Sequence, residues 1–344
     1  VEAAPFFAEV AEGPEGGAAW WLRTDDGVRI RMGYWPCKDA RGTVLLFPGR
    51  TECVEKYGRT AADFARRGYA MLAVDWRGQG LADRFLADRD TGHVGRFADY
   101  QRDVRAVMAA AATLDVPRPW HILGHSMGGL IGLRAAAEGA DVASAAFSAP
   151  MWGVVMKAWM RPFARIVTAA SGPAGFGHLY APGASVRNYV TTAPFEGNQL
   201  TRDADMFAYM RGQLLAYPEL MLGGPSFHWV HEGLAEIRRF RTGPLPDLPV
   251  YIGIGGGERI VDIPAVRAMA ARWPGAEFDE FPGAEHELLM ELPEVRDRFL
   301  DRAVALFDRA AGGKAAAPRS GASSAAGRPE VPAATGLSAR AAAC

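Results

Sequence analysis

Short apolar runs alternate with stretches of helical periodicity along most of this chain. Runs at 28–35 (VRIRMGYW), 43–48 (TVLLFP), 70–75 (AMLAVD), 119–125 (PWHILGH), 143–149 (ASAAFSA), 248–254 (LPVYIGI) and 277–281 (EFDEF) read as strands. Between them, 58–67 and 99–113 read as helices, the second with Val104, Val107 and Ala111 on one face. A last helix, about 292–311, aligns Leu292, Val295, Phe299, Ala303 and Leu306 and is expected to stop at Gly312-Gly313. This alternation predicts an α/β fold, a mostly parallel central sheet with helices on both faces. Two segments break the rhythm. Residues 151–245 carry helical periodicity and many Met, Trp and Phe residues between two strands, and are expected to form a helical cap. The expected organisation is a core in two parts, 1–150 and 246–311, with the cap 151–245 between them. Residues 312–344, rich in Ala, Gly, Ser and Pro, are expected to be a disordered tail.

Composition narrows the partners. The formal net charge is −1 and only Lys38, Lys56, Lys157 and Lys314 are lysines, so no basic field draws the chain to nucleic acid. Cys37, Cys53 and Cys344 are too few and too dispersed for a disulfide framework or a zinc site. The longest uncharged segment, 166–186, is broken by Gly172, Pro173, Gly175, Gly177 and Pro182 and makes a poor membrane span. The expectation is a soluble, cytoplasmic protein whose contact with membranes is at most transient and at their surface.

The chemistry begins at GHSMGG, residues 124–129, which fits G-x-S-x-G between strand 119–125 and a small-residue helix, 127–139. A sharp turn there would hold Ser126 in strained geometry, while Gly124 and Gly128 remove side chains that would collide across it. A serine hydroxyl needs a base. His121 sits inside a strand, His125 points to the other side of one, and His93, His178, His228 and His231 lie in a connection or in the cap. His286, in the loop just past strand 277–281, can reach the same sheet edge as Ser126. The loop after strand 248–254, GGGERIVD, offers Glu258 directly off the strand end as the orienting acid. Asp262 is its alternative, and it also suits the N-cap of a helix starting near Pro264. The order Ser126, acid, His286 is that of α/β-hydrolases rather than of the two serine-protease folds. Oxyanion donors are expected from the backbone N–H of Met127 and from that of Arg50 in FPGRTECVEKY. Asp75 and Arg77 in DWRGQG are expected to fix their own loop by local hydrogen bonds.

FPGRTECVEKY, VDWRGQG, FADYQRDV, GHSMGG, GGGERIVD and GAEHE, spanning residues 47–287 in order, resemble the α/β-hydrolase superfamily, and within it the lysophospholipase and monoacylglycerol lipase branch. NQLTRD (198–203) and LGGPSFHWV (222–230) resemble the cap of bacterial lysophospholipases. The resemblance implies Ser126 as nucleophile, His286 as base and Glu258 as acid. It departs at Pro48-Gly49, where many relatives have His-Gly, and at Glu258, where most have Asp. The implied reaction is cleavage of carboxylic esters of single-chain lipids, lysophospholipid or monoacylglycerol, through an acyl-enzyme, with no metal or organic cofactor. Met151, Val154, Val155, Trp159, Phe163 and Ile166 are expected to pack cap on core, and some of them to line an acyl pocket. The rival readings are a general carboxylesterase, a thioesterase, an aminopeptidase using cap acids such as Glu196, Asp203 and Asp205, and a non-catalytic ligand receptor.

Overall fold

Strands whose every residue is apolar and buried need cover on both faces, and the residues at 43–47 show how it is supplied. Leu45 and Phe47 project into one hydrophobic cluster, and Val44 and Leu46 into a second on the opposite face. The computed structural model describes residues 1–156 and 160–315. Its nine strands are β1 (Glu2–Ala4), β2 (Ala18–Arg23), β3 (Arg29–Trp35), β4 (Thr43–Phe47), β5 (Ala70–Asp75), β6 (Trp120–His125), β7 (Ser144–Ser148), β8 (Val250–Gly255) and β9 (Glu277–Phe281). They form one sheet in the order β1-β2-β3-β5-β4-β6-β7-β8-β9. Pairing is parallel from β5 to β9 and antiparallel from β1 through β3 to β5.

The helices are α1 (Ala8–Ala11), α2 (Gly58–Arg66), α3 (Tyr100–Thr113), α4 (Met127–Ala137), α5 (Met160–Ser171), α6 (Tyr189–Thr192), α7 (Ala204–Ala216), α8 (Phe227–Thr242), α9 (Ile263–Arg272) and α10 (Pro293–Ala315). Residues of α3 and α4 join the first cluster, and residues of α2 and α10 the second, so the sheet is covered on both sides. The stretch 151–245 joins β7 to β8 and contains α5 to α8.

All seven expected strands form, with ends shifted by at most two residues. Two strands were not expected. β2, AAWWLR, carries five consecutive apolar residues but buries only Ala19 and Leu22, and β1, EAA, is mostly exposed at the sheet edge. The last helix also differs. α10 passes through Gly312 and ends at Ala315, because a glycine in a helix costs only about 1 kcal/mol and nothing here forces a stop. Residues 312–315, expected in the tail, therefore belong to this helix, and the rest of that segment lies outside the described residues. Among the described residues, no helix is long and apolar enough to cross a membrane.

Candidate active site

Four parallel strands deliver the site. β4, β6, β8 and β9 end side by side or nearly so at one edge, and the loops that leave them carry Arg50, Ser126, Glu258 and His286. Open α/β sheets bind ligands at this carboxyl edge. Ser126 has φ 49° and ψ −116°, a left-handed conformation that a side-chain-bearing residue holds only when its surroundings impose it. The imposition comes from close packing. A Cβ on Gly124 would lie 2.7 Å from the Gly128 carbonyl oxygen, and one on Gly128 would lie 1.9 Å from that of Phe47. The turn closes through the Ser126 N–H, which donates to the Ser148 carbonyl at 3.0 Å.

Glu258 and His286 meet directly. The Nδ1 of His286 lies 2.6 Å from Oε2 of Glu258, and both side chains are buried. The other carboxylate oxygen accepts from the backbone N–H groups of Ile260 at 2.6 Å and Val261 at 3.1 Å. Burial would raise the Glu258 carboxyl, but the His286 contact and these two N–H groups outweigh it and hold it below its ordinary value. An ionised Glu258 accepts a hydrogen bond from Nδ1–H, which leaves Nε2 of His286 as the ring's acceptor. Asp262 takes the other role open to it: it is the N-cap of α9, accepting from the Ala265 N–H at 3.3 Å.

Ser126 and His286 line one cavity of about 370 Å³, together with Arg50 and Thr51 of the loop after β4. Met127 opens α4, so its N–H has no carbonyl a turn earlier to bond. The walls are largely apolar. Val190, Leu200, Met210 and Leu214 come from the β7–β8 connection, and Ile260 and Val261 from the loop carrying Glu258. Of the apolar residues expected to line a pocket, Met151 and Val154 do so, whereas Val155 and Ile166 are exposed. Trp159 and the Phe163 side chain lie outside the described residues. The cap acids weighed for binding an amine stand away from the cavity. Glu196 is exposed, Asp203 caps α7, and Asp205 pairs with Arg59.

A buried charge cluster in the wall of this cavity was not foreseen. Nζ of Lys56 lies 2.7 Å from Glu52 and 2.7 Å from Glu287, and Nε2 of His125 lies 3.2 Å from Glu287. Glu52 also accepts from Tyr57 and from the backbone N–H of Gly49, the residue before Arg50. The cluster thus ties the Arg50 loop to the residue following His286. The signal was present as Glu52 and Lys56 four residues apart and as a glutamate adjoining His286, but nothing local links the two segments. His125 Nδ1 lies 3.1 Å from the Ser148 carbonyl oxygen, and its ring centroid is 4.8 Å from that of His286. Glu52, His125 and Glu287 could together ligate a metal, since their donor atoms lie within 4.8 Å of one another. The Lys56 ammonium already supplies the cation between both carboxylates.

Burial opposes charge at Lys56, His125 and Glu287, and mutual pairing wins. Desolvation would raise the Glu287 carboxyl, but His125 and Lys56 hold it well below the usual range. Desolvation would lower His125, but Glu287 and Glu52 raise it. Replacing Glu287 by Gln is expected to cost about 3–5 kcal/mol by stranding the partner charges. Because the folded carboxyl titrates below its unfolded value, Glu287 contributes stability above the ordinary glutamate pKa and loses it as pH falls. Urea unfolding at several pH values checks this: the wild-type advantage over Glu287→Gln should be full near neutrality and shrink below about pH 4.5.

The loop DWRGQG is fixed only partly from within. Asp75 accepts locally from the Leu81 N–H at 2.9 Å and also pairs with Arg31 at 2.8 Å. Arg77 instead reaches across the fold to Asp103 and Asp26, at 2.8 and 2.9 Å. Local spacing could not reveal those partners.

Residues 38–293 match the sequence profile of a family described as "Serine aminopeptidase, S33". The chain belongs to this family of α/β-hydrolases. The hydrolase is 31% identical over 299 residues to lysophospholipase L2 of Escherichia coli K12, an alignment covering 83% of this chain and 85% of that one. It is 30% identical over 267 residues to the probable lysophospholipase L2 of Haemophilus influenzae, covering 77% and 83% respectively. Among solved structures, a soluble variant of monoglyceride lipase from Saccharomyces cerevisiae shares its fold with TM-score 0.65 and 20% identity, over 84% of this hydrolase and 94% of that chain.

Proposed function

We propose that this hydrolase cleaves the carboxylic ester of single-chain lipids, a lysophospholipid or a monoacylglycerol, through an acyl-enzyme on Ser126. His286, oriented by Glu258, removes the hydroxyl proton as Ser126 Oγ attacks the ester carbonyl. The N–H groups of Met127 and Arg50 receive the negative charge of the tetrahedral intermediate. His286 then hands its proton to the departing alcohol, and a water activated by the same ring releases the fatty acid. The segment 151–245 acts as a cap that supplies the acyl-binding wall.

The observation that carries this reading is the character of the cavity. It joins Ser126 and His286 to apolar walls, and its carboxylates Glu52 and Glu287 are both engaged by Lys56. An aminopeptidase needs a carboxylate free to hold the substrate's ammonium, and these two are not free for that. The names of the relatives in Escherichia coli and Haemophilus influenzae support the lipid-ester reading.

A series of acyl esters from acetyl to lauroyl, run beside acyl-thioesters and aminoacyl anilides, tests the assignment. Each methylene entering the apolar cavity is worth about 0.8 kcal/mol, so kcat/KM should rise about fourfold per methylene until the pocket is filled. A preference for acetyl esters, for thioesters or for anilides contradicts it.

A further inference from the structure

Arg50 offers the cavity more than a backbone N–H. Its side chain donates from Nη1 to the Gly223 carbonyl at 2.7 Å and lies over the ring of Trp229, with Cζ 5.7 Å from the centroid. Trp229 also lines the cavity. Among the described residues, no carboxylate stands within ion-pair distance of this guanidinium. Arg50 is half-buried, and the buried cations of the fold differ from it in each having carboxylate partners. Arg31 pairs with Glu55 and Asp75, Arg77 with Asp26 and Asp103, and Lys56 with Glu52 and Glu287. Desolvation pushes Arg50 down to about 10, so it remains charged at neutral pH. A cation partly shielded from water without a counter-charge is left under-solvated, and a ligand anion entering the cavity offsets that.

We propose that the Arg50 guanidinium binds the phosphodiester of a single-chain phospholipid, so that the hydrolase selects lysophospholipids over neutral monoacylglycerols. The covalent framework of both partners suits this. The ester carbonyl and the phosphate sit at opposite ends of a glycerol, and the backbone N–H and the guanidinium sit at opposite ends of one arginine. The guanidinium presents planar, paired donors that match two phosphate oxygens, while Trp229 beneath it fixes the plane. This inference rests on the lipid-ester reading above for its substrate, and on the unpaired cation for its specificity.

Two measurements test it. The first is the ratio of kcat/KM for 1-lauroyl-lysophosphatidylglycerol to that for 1-lauroylglycerol, in wild type, Arg50→Met and Arg50→Lys. The ratio should fall about 10- to 100-fold in Arg50→Met, as expected for a lost charge-assisted hydrogen bond, and recover in large part in Arg50→Lys. A ratio within about threefold of wild type in both variants overturns the proposal. The second needs neither turnover nor a folded variant. By calorimetry, wild type should bind methyl dodecyl phosphate at least about tenfold more tightly than dodecanol, and equal affinities overturn the proposal. If neither lauroyl ester is hydrolysed yet the phosphodiester is still preferred in binding, the lipid-ester reading fails and the anion site stands.

Discussion

Replacing Ser126 with alanine is expected to lower kcat on a lauroyl ester by about 10⁶-fold, with the protein folded and still binding lipid. The size follows from what the hydroxyl does. In the proposed mechanism the acyl-enzyme forms on Oγ, so its removal leaves the paired His286 and Glu258 and the expected oxyanion donors with no nucleophile to serve. The fold should survive, because the strained turn is imposed by Gly124 and Gly128 and by the backbone bond to Ser148, none of which involves the hydroxyl. Steady-state rates together with the thermal midpoint separate the two effects. A variant that keeps a tenth of wild-type activity rules out Ser126 as the nucleophile.

Glu258→Gln is expected to lower kcat by about 10⁴-fold, the scale seen when the acid of such a triad becomes an amide. The carboxylate is placed to accept a hydrogen bond from Nδ1–H of His286 at 2.6 Å, and an amide can meet Nδ1 with its NH₂ instead. That turns the ring to the wrong tautomer, with its proton on Nε2 and no acceptor left there for a serine hydroxyl. Asp262→Asn provides the comparison. Asp262 caps α9 and accepts from the Ala265 N–H, so its replacement should cost some stability and little activity. Glutamate at the acid position is one methylene longer than aspartate. The two backbone N–H groups that hold its second oxygen, at Ile260 and Val261, fix where that extra length goes. A large loss in Asp262→Asn with none in Glu258→Gln would reassign the acid.

The parallel part of the sheet was legible because burial on both faces forces uninterrupted apolar runs such as TVLLF and AMLAVD. β1 and β2 lack that burial: they pair antiparallel at the margin, where only Ala19 and Leu22 of AAWWLR are buried. The juxtaposition of Ser126, Glu258 and His286 could be read because each occupies a loop directly after a strand, and strand ends of a parallel sheet share one edge. The cluster of Glu52, Lys56, His125 and Glu287 could not. Its members come from the segment after β4, the end of β6 and the segment after β9, and only the Glu52–Lys56 pair is local in sequence. The distant partners of Arg77 were hidden for the same reason. Helical spacing in 151–166 marked an apolar face expected to pack on the core and in part to line a pocket: Met151 and Val154 line the cavity, Val155 and Ile166 are exposed, and Met210 and Leu214 of α7 add to the wall. Periodicity shows that a face is apolar but not what the face will meet.

The central claim is that Ser126 is a nucleophile activated by the Glu258-supported imidazole of His286. Mass spectrometry of the wild-type protein after treatment with a fluorophosphonate tests it most directly, with Ser126→Ala and His286→Ala treated in parallel. The account predicts one adduct, located on the peptide containing Ser126, absent from Ser126→Ala and formed far more slowly in His286→Ala. An unmodified wild-type protein, or an adduct on a different serine that persists in Ser126→Ala, would contradict it.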